Sequence, residues 1–242
     1  MINNNMNQIL WTPTQNQIDA SQMDAFRKQV NARFHITLKD YHELHEWSVT
    51  NISDFWKAIW GFMAIEFSSD YTQVVDDETK MPGAKWFEGV RLNFAENLLR
   101  IRSDKPAIHF KGEDNPVRTL SYNQLYNTVE KLASALRKMG VQKRDRVAGF
   151  MPNMPETIIA MLATTSIGAI WSSSSPDFGI NGVLDRFSQI EPKVLFAANG
   201  YFYNGKAFDT LGKLNSILAQ LPSVEQVVVT PYTESNPDIS SI

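Results

Sequence analysis

Cysteine is absent from the 242 residues. That excludes disulfides, thiolate metal sites and a cysteine nucleophile, and it fits a reducing compartment. Motifs built on glycine are missing as well. No Gly-x-Gly-x-x-Gly occurs, so a Rossmann dinucleotide site has no support, and no Gly-x-Ser-x-Gly elbow offers a hydrolase nucleophile. There is no long basic run and the net charge is -3, which leaves no electrostatic footprint for nucleic acid. Long apolar runs are wanting too. The greasiest stretch, Ile158 to Trp171, is broken by Thr164, Thr165, Ser166 and Gly168, and is shorter than the roughly 20 residues a spanning helix needs. The Asn-rich start, Met1 to Leu10, lacks the basic-then-apolar order of a signal peptide. The expectation is a soluble cytoplasmic protein with no nucleic-acid or membrane partner.

What is there is an ordinary globular balance: 43% apolar and 20% charged residues in a chain long enough to bury a core. Its texture changes along its length. Residues 1–84 read as helices and irregular linkers, with Phe26, Val30 and Phe34 on one helical stripe. Ser53 is the expected N-cap of a segment carrying Phe55, Trp56, Ile59, Trp60 and Met63. Five of the six tryptophans precede residue 87, which reads as a packed layer and not as an aromatic ligand box. Ser68 to Lys85, with Asp76, Asp77, Pro82 and Gly83, reads as a connection, and its acidic run as solvated.

Residues 85–242 change to short apolar runs alternating with amphipathic helices. Ala107–Phe110 and Val117–Leu120 flank a Lys-Gly-Glu-Asp-Asn turn. Ser121 and Gln124 form a capping box before a helix that Gly140 stops. Strands follow at Arg146–Phe150, Ala169–Ser172, Val194–Ala197 and from Val227. The intervening helices are one expected to be capped by Asn153, one striped by Ile180, Val183, Leu184, Phe187 and Ile190, and one striped by Leu211 to Leu221. Strands separated by single helices run parallel, because each helix returns the chain to the same end. Residues 105–242 therefore predict an open α/β sheet with helices on both faces; strand order is not legible.

Ligands of such sheets sit beyond the carboxyl ends of the strands. Two segments leave that edge. Ser172 to Gly179, read Ser-Ser-Ser-Ser-Pro-Asp-Phe-Gly, runs into a helix N-terminus that suits an anion. Asn199 to Lys206 has Asn204-Gly205 for a tight turn and sets Lys206 beside Tyr201, Phe202 and Tyr203, a cation for phosphate next to aromatic faces. Pattern alone favours the plainer alternative, in which the serines cap the helix and Lys206 is a solvated charge. His42 and His45, three apart on a helix, lack further ligands and predict no metal site. His109 reads as structural.

With these residues in hand the chain is recognisable. The segments ARFHITLKDYHELHEWSV, DFWKAIWGFM, KWFEGVRLNFAENLL, the run PNMPETIIA to EPKVLFA and GYFYNGKAFD resemble the adenylate-forming acyl-CoA synthetases, and within them the branch that acts on acetoacetate. The likeness covers about Trp11 to Tyr232. It implies a mainly helical N-terminal extension over 1–84, and over 85–242 the incomplete first flavodoxin-like subdomain of an adenylation domain. It also implies a two-step ligation. ATP and a carboxylate give an acyl-adenylate and pyrophosphate with Mg²⁺, and the CoA thiol then displaces AMP. The family's Gly/Ser/Thr-rich loop ending in Lys, its adenine and ribose contacts and its catalytic lysine are expected downstream, in the remaining C-terminal part of the same protein. No catalytic residue is therefore assigned here, and the fragment by itself is expected to be inactive. The resemblance assigns to CoA the positions Ser175, Pro176 and Asp177, and Tyr203 and Lys206. Tyr203 replaces one of two phosphate-binding arginines, Pro176 and Asp177 replace glycines, and Arg144 replaces a glycine, which implies a changed turn there.

Overall fold

A computed structural model describes residues 9–240 and 242. They fall into two compact units, the first running to Leu92 and the second starting at Asn93.

In the first unit, Thr14 and Gln17 form a reciprocal capping box that opens α1 (Gln15–Asp19). α2 (Gln22–Phe34), α3 (Tyr41–Thr50) and α4 (Ile52–Phe62) follow. The expected stripe of α2 is the core: Phe26 and Val30 are buried with Leu44 of α3 and Ala58 of α4, and Phe34, Trp47, Phe55 and Phe62 pack against them. The aromatics meet mostly edge to face, Phe26 and Phe62 at 5.2 Å, the arrangement their ring quadrupoles favour. α4 starts earlier than expected, with Asn51 at its N-cap, so Ser53 lies inside the helix. The Ser53 N–H is taken by the Glu78 carboxylate at 2.8 Å. Ser68–Lys85 is no bare connection, because it contains β1 (Gln73–Val75), which pairs antiparallel with β2 (Trp86–Glu88).

The second unit contains α5 (Phe94–Leu99), β3 (Pro106–Phe110), β4 (Arg118–Ser121), α6 (Tyr122–Lys138), β5 (Arg146–Phe150), α7 (Pro155–Ser166) and β6 (Ile170–Ser174). It continues with α8 (Ile180–Ile190), β7 (Val194–Ala198), β8 (Gly200–Tyr203), β9 (Lys206–Asp209), α9 (Leu211–Leu218) and β10 (Gln226–Thr230). The four strands separated by helices form one parallel sheet in the order β10-β7-β5-β6. In chain order that is the flavodoxin-like arrangement 2-1-3-4 read from its far edge. β3 with β4, and β8 with β9, are joined by turns and form separate antiparallel pairs. The open sheet expected over residues 105–242 is thus narrower than that range.

Both faces of the sheet are covered. Val147, Val194, Phe196 and Ala198 pack with Leu125, Val129, Ile159 and Leu162 of α6 and α7. Ala148, Phe150, Leu195 and Ala197 turn the other way, against Val183 and Phe187 of α8 and Leu214 and Ile217 of α9. The period of two explains why β7, buried on both sides, is an unbroken apolar run. At Gly149 a side chain has no room, since a Cβ there would lie 2.7 Å from the Trp171 ring. Ser121 and Gln124 make the expected capping box, and Gly140 and Gly168 end α6 and α7 with positive φ. Asn153 does not cap α7. Met154 holds that position without a side-chain bond, and Pro155 follows at the first helical position, where its fixed φ suits the helix and its missing N–H costs nothing. Among the described residues no helix is long and apolar enough to cross a membrane.

Candidate site at the carboxyl edge of the sheet

The chain moves one way across the sheet from β5 to β6, then returns past β5 to β7. Such a reversal opens a crevice at the carboxyl edge. β6 and β7 lie on either side of β5, roughly 10 Å apart by strand spacing, and they release the two segments singled out above.

The three serines Ser172 to Ser174 complete β6, and none of them caps α8. Gly179 takes the N-cap position with no side-chain bond, so the first turn of α8 keeps N–H groups that no side chain satisfies. This corrects the plainer reading of the serine run. Ser175 and Asp177 are exposed and Pro176 is buried between them. The Phe178 N–H closes the turn onto the Ser175 carbonyl at 3.2 Å. The Ser174 hydroxyl is buried and has no partner. Arg186, in the second turn of α8, lays its guanidinium over the Phe178 ring at 4.6 Å.

After β7, Asn199 ties the strand end to the segment beyond β10. Its side-chain oxygen accepts from the N–H groups of Tyr232 (2.6 Å) and Thr233 (3.2 Å), and its amide donates to the Glu234 carbonyl. The fully buried Thr210 hydroxyl donates to the Ala198 carbonyl. From this base rises the β8–β9 hairpin. Asn204 and Gly205 have φ of 52° and 71°, the pair of left-handed residues that matches the strand twist in a two-residue turn. Tyr203 and Lys206 are partners across it, as are Tyr201 and Phe208.

Residues opposite each other, and those two apart, share a face. One face of the hairpin is packed: Phe202 meets Tyr232 edge to face at 5.7 Å. Burial, then the charges of Glu113 and Glu156, push the Tyr232 phenol above its ordinary value. The other face is open. Tyr201 and Phe208 stack there at 5.2 Å, the Lys213 ammonium of α9 lies 5.7 Å from the Tyr201 ring centre, and Tyr203 is 67% exposed. Lys206 is exposed and has no ion-pair partner among the described residues. α8 and α9 share one core cluster, so the segments that feed them emerge at the same end of the same sheet face. No hydrogen bond among the described residues joins Ser175, Pro176 or Asp177 to Tyr203 or Lys206. The two segments thus leave the same edge of the sheet on either side of β5. Two further cations flank these segments, Lys213 at Tyr201 and Arg186 at Phe178. Pattern reasoning passed over both, because each reads as an ordinary polar position on its helix.

Other features are already engaged. A cleft of about 460 Å³ in the first unit is lined by Ile18, Met23, Asp24, Arg27, Asp40 and Tyr41 among others. Its carboxylates are engaged, Asp24 with Arg27 and Lys28, and Asp40 with the first turn of α3. His42 and His45 lie on α3 beside the Tyr41 ring, and no group of three or more His, Cys, Asp or Glu among the described residues could hold a metal ion. His109 meets the Thr119 hydroxyl across the β3–β4 pair at 3.1 Å.

A parallel sheet with this strand order agrees with what comparison with known proteins finds. Residues 95–240 match the AMP-binding enzyme family and residues 41–98 the acetyl-coenzyme A synthetase N-terminus. The chain belongs to the AMP-binding enzyme family. Among proteins it is similar to is the acetoacetyl-CoA synthetase of Macaca fascicularis, 45% identical over 96% of this chain and 35% of that protein. Another is the acetoacetyl-coenzyme A synthetase of Rhizobium meliloti (strain 1021), 44% identical over 92% of this chain and 34% of that protein. Of solved structures, the acetoacetyl-CoA synthetase from Streptomyces lividans superposes with a TM-score of 0.87 at 38% identity, covering 96% of this chain and 36% of that one. The chain thus spans about a third of the length of these relatives.

Proposed function

We propose that this chain is the N-terminal portion of an AMP-forming acetoacetate–CoA ligase, and that its share of the work is to hold CoA. The observation that supports this best is the open face of the β8–β9 hairpin, with Tyr203 exposed and Lys206 without an ion-pair partner among the described residues. A planar base can lie on the tyrosine and a phosphate can meet the ammonium. In this reading Ser175, Pro176 and Asp177, which leave the same edge of the sheet, form a second wall of the CoA site. Lys213 lies beside Tyr201, where it offsets the charge lost with the arginine that Tyr203 replaces. ATP and Mg²⁺ belong in this reading to the rest of the protein, because this sequence holds no phosphate-cradling loop ending in Lys. The 242 residues alone then activate no carboxylate.

The test is carried out on the full-length protein. Acetoacetate should drive AMP formation in the presence of ATP and CoA. Lys206→Glu should raise the KM for CoA about tenfold, the equivalent of about 1.4 kcal/mol, and spare acetoacetate-dependent pyrophosphate exchange, which precedes CoA. Loss of that exchange would mean that the substitution damages the fold. The match of residues 41–98 to the acetyl-coenzyme A synthetase N-terminus supports a rival acyl group. A strong preference for acetate or propionate in the same assay would move the assignment to that sibling activity.

A further inference from the structure

The tip of the β8–β9 hairpin is not left to itself. From the turn between β3 and β4, Glu113 sets one carboxylate oxygen 3.1 Å from the Asn204 N–H and the other 2.7 Å from the Gly205 N–H. These are the two amides of the left-handed turn, and successive N–H groups in such a turn form a concavity that holds an anion. The side chain that fills it comes from 91 residues earlier in the chain, so the contact is tertiary and does not follow from the turn. Two further contacts bring the elements together. Phe110 of β3 and Phe202 of β8 both meet the Tyr232 ring, and the Tyr232 hydroxyl sits 2.9 Å from where a Cβ on Gly112 would be. The hairpin is thus held by its packed face and by its tip, while the face bearing Tyr203 and Lys206 stays open.

We infer that Glu113 is a positioning residue. Its carboxylate fixes the hairpin tip and thereby the direction in which Lys206 and Tyr203 are presented. This rests on the reading of those two residues as a CoA-binding face, and deepens it. A two-stranded hairpin projecting from a sheet has little of its own to hold it. A lysine at its tip would sample many positions, and ordering it on binding would cost affinity. Two charge-assisted bonds to the turn amides remove that freedom beforehand. They also use up the turn's own anion site, so a phosphate arriving at the tip is met by the Lys206 ammonium and not by the backbone.

The experiment is hydrogen exchange on the full-length protein, followed by steady-state kinetics. In Glu113→Ala the amides of residues 200–209 should exchange at least severalfold faster, with the sheet strands unchanged. Glu113→Gln, whose single carbonyl oxygen satisfies one of the two amides, should fall between. The KM for CoA should rise by about the same factor as in Lys206→Ala, with kcat falling less, and the double variant should be no worse than Lys206→Ala alone. Unchanged exchange in the hairpin overturns the inference, and so does a double variant whose effects multiply. If Lys206→Ala leaves the KM for CoA at its original value, it is the CoA reading that fails. The exchange of residues 200–209 in Glu113→Ala then still decides whether Glu113 holds the tip.

Discussion

Arg144 occupies the turn before β5 with φ of 74°, a left-handed conformation that costs an L-residue with a Cβ roughly 1 kcal/mol or more. Its N–H donates to the Gly168 carbonyl at 2.9 Å, which locks the conformation in place. Arg144 therefore holds a conformation that favours glycine, and the arginine bears the strain. Arg144→Gly should raise the stability to urea by about 1 kcal/mol, less what the freer unfolded chain takes back. Arg144→Ala, which keeps the Cβ, should gain nothing. Equal gains in both would mean that the strain lies elsewhere.

Among the elements, the β1–β2 connection shows how an acidic run that looks merely solvated can be structural. One oxygen of Asp76 accepts from the N–H groups of Asp77 and Lys85, and the other from the Lys80 ammonium at 2.8 Å. The Lys80 bond first, and the Lys85 N–H next, hold the Asp76 carboxyl at about 2, below the ordinary value of 3.8. A carboxyl whose pKa is lowered by folding adds stability that is complete above about pH 4 and is lost as the pH falls toward about 2. Denaturation measured across that window should steepen in the intact protein and flatten in Asp76→Asn. An identical pH dependence in the two proteins would remove Asp76 from the account. Elements with a local signal were legible in the sequence: the Ser121–Gln124 box, the stripe of α8, and the Asn204-Gly205 turn. What escaped is tertiary or competitive. Asn153 has the right side chain for a cap, yet Pro155 fixes the start of α7 after Met154. The serines from Ser172 to Ser175 have capping chemistry, yet pairing with β5 draws three of them into β6. Glu113 carries no mark in the sequence, because it gains its partners only when segments 91 and 92 residues apart meet. Arg186 and Lys213 have partners nearby in the chain, Phe178 and Tyr201, but read as ordinary polar helix positions.

On the scale of the whole molecule, the apolar cores respect the division at Leu92. One cluster draws on Phe26 to Phe62, and the other two on residues from Ala95 onward. About 150 residues suffice for an independent core. Residues 93–242 produced alone should therefore unfold in urea in a single cooperative transition and keep the circular dichroism of an α/β protein. A gradual, featureless loss of signal would show that the sheet depends on the first unit. Class and periodicity were readable because each helix between two strands enforces a parallel return. The order of strands was not, since either neighbour of β5 satisfies the same pattern.

That order has a bearing on how the protein comes into being. β5 finds β6 after a single helix, but its partner on the other side, β7, is made only after the chain has left β6 and come back. During synthesis the middle of the sheet therefore stays half built until Ala198 has emerged, with the N–H and C=O groups along one edge of β5 unpaired. Slowing translation between β6 and β7 would prolong that exposure, whereas slowing it after β7 would find the most vulnerable edge already sealed.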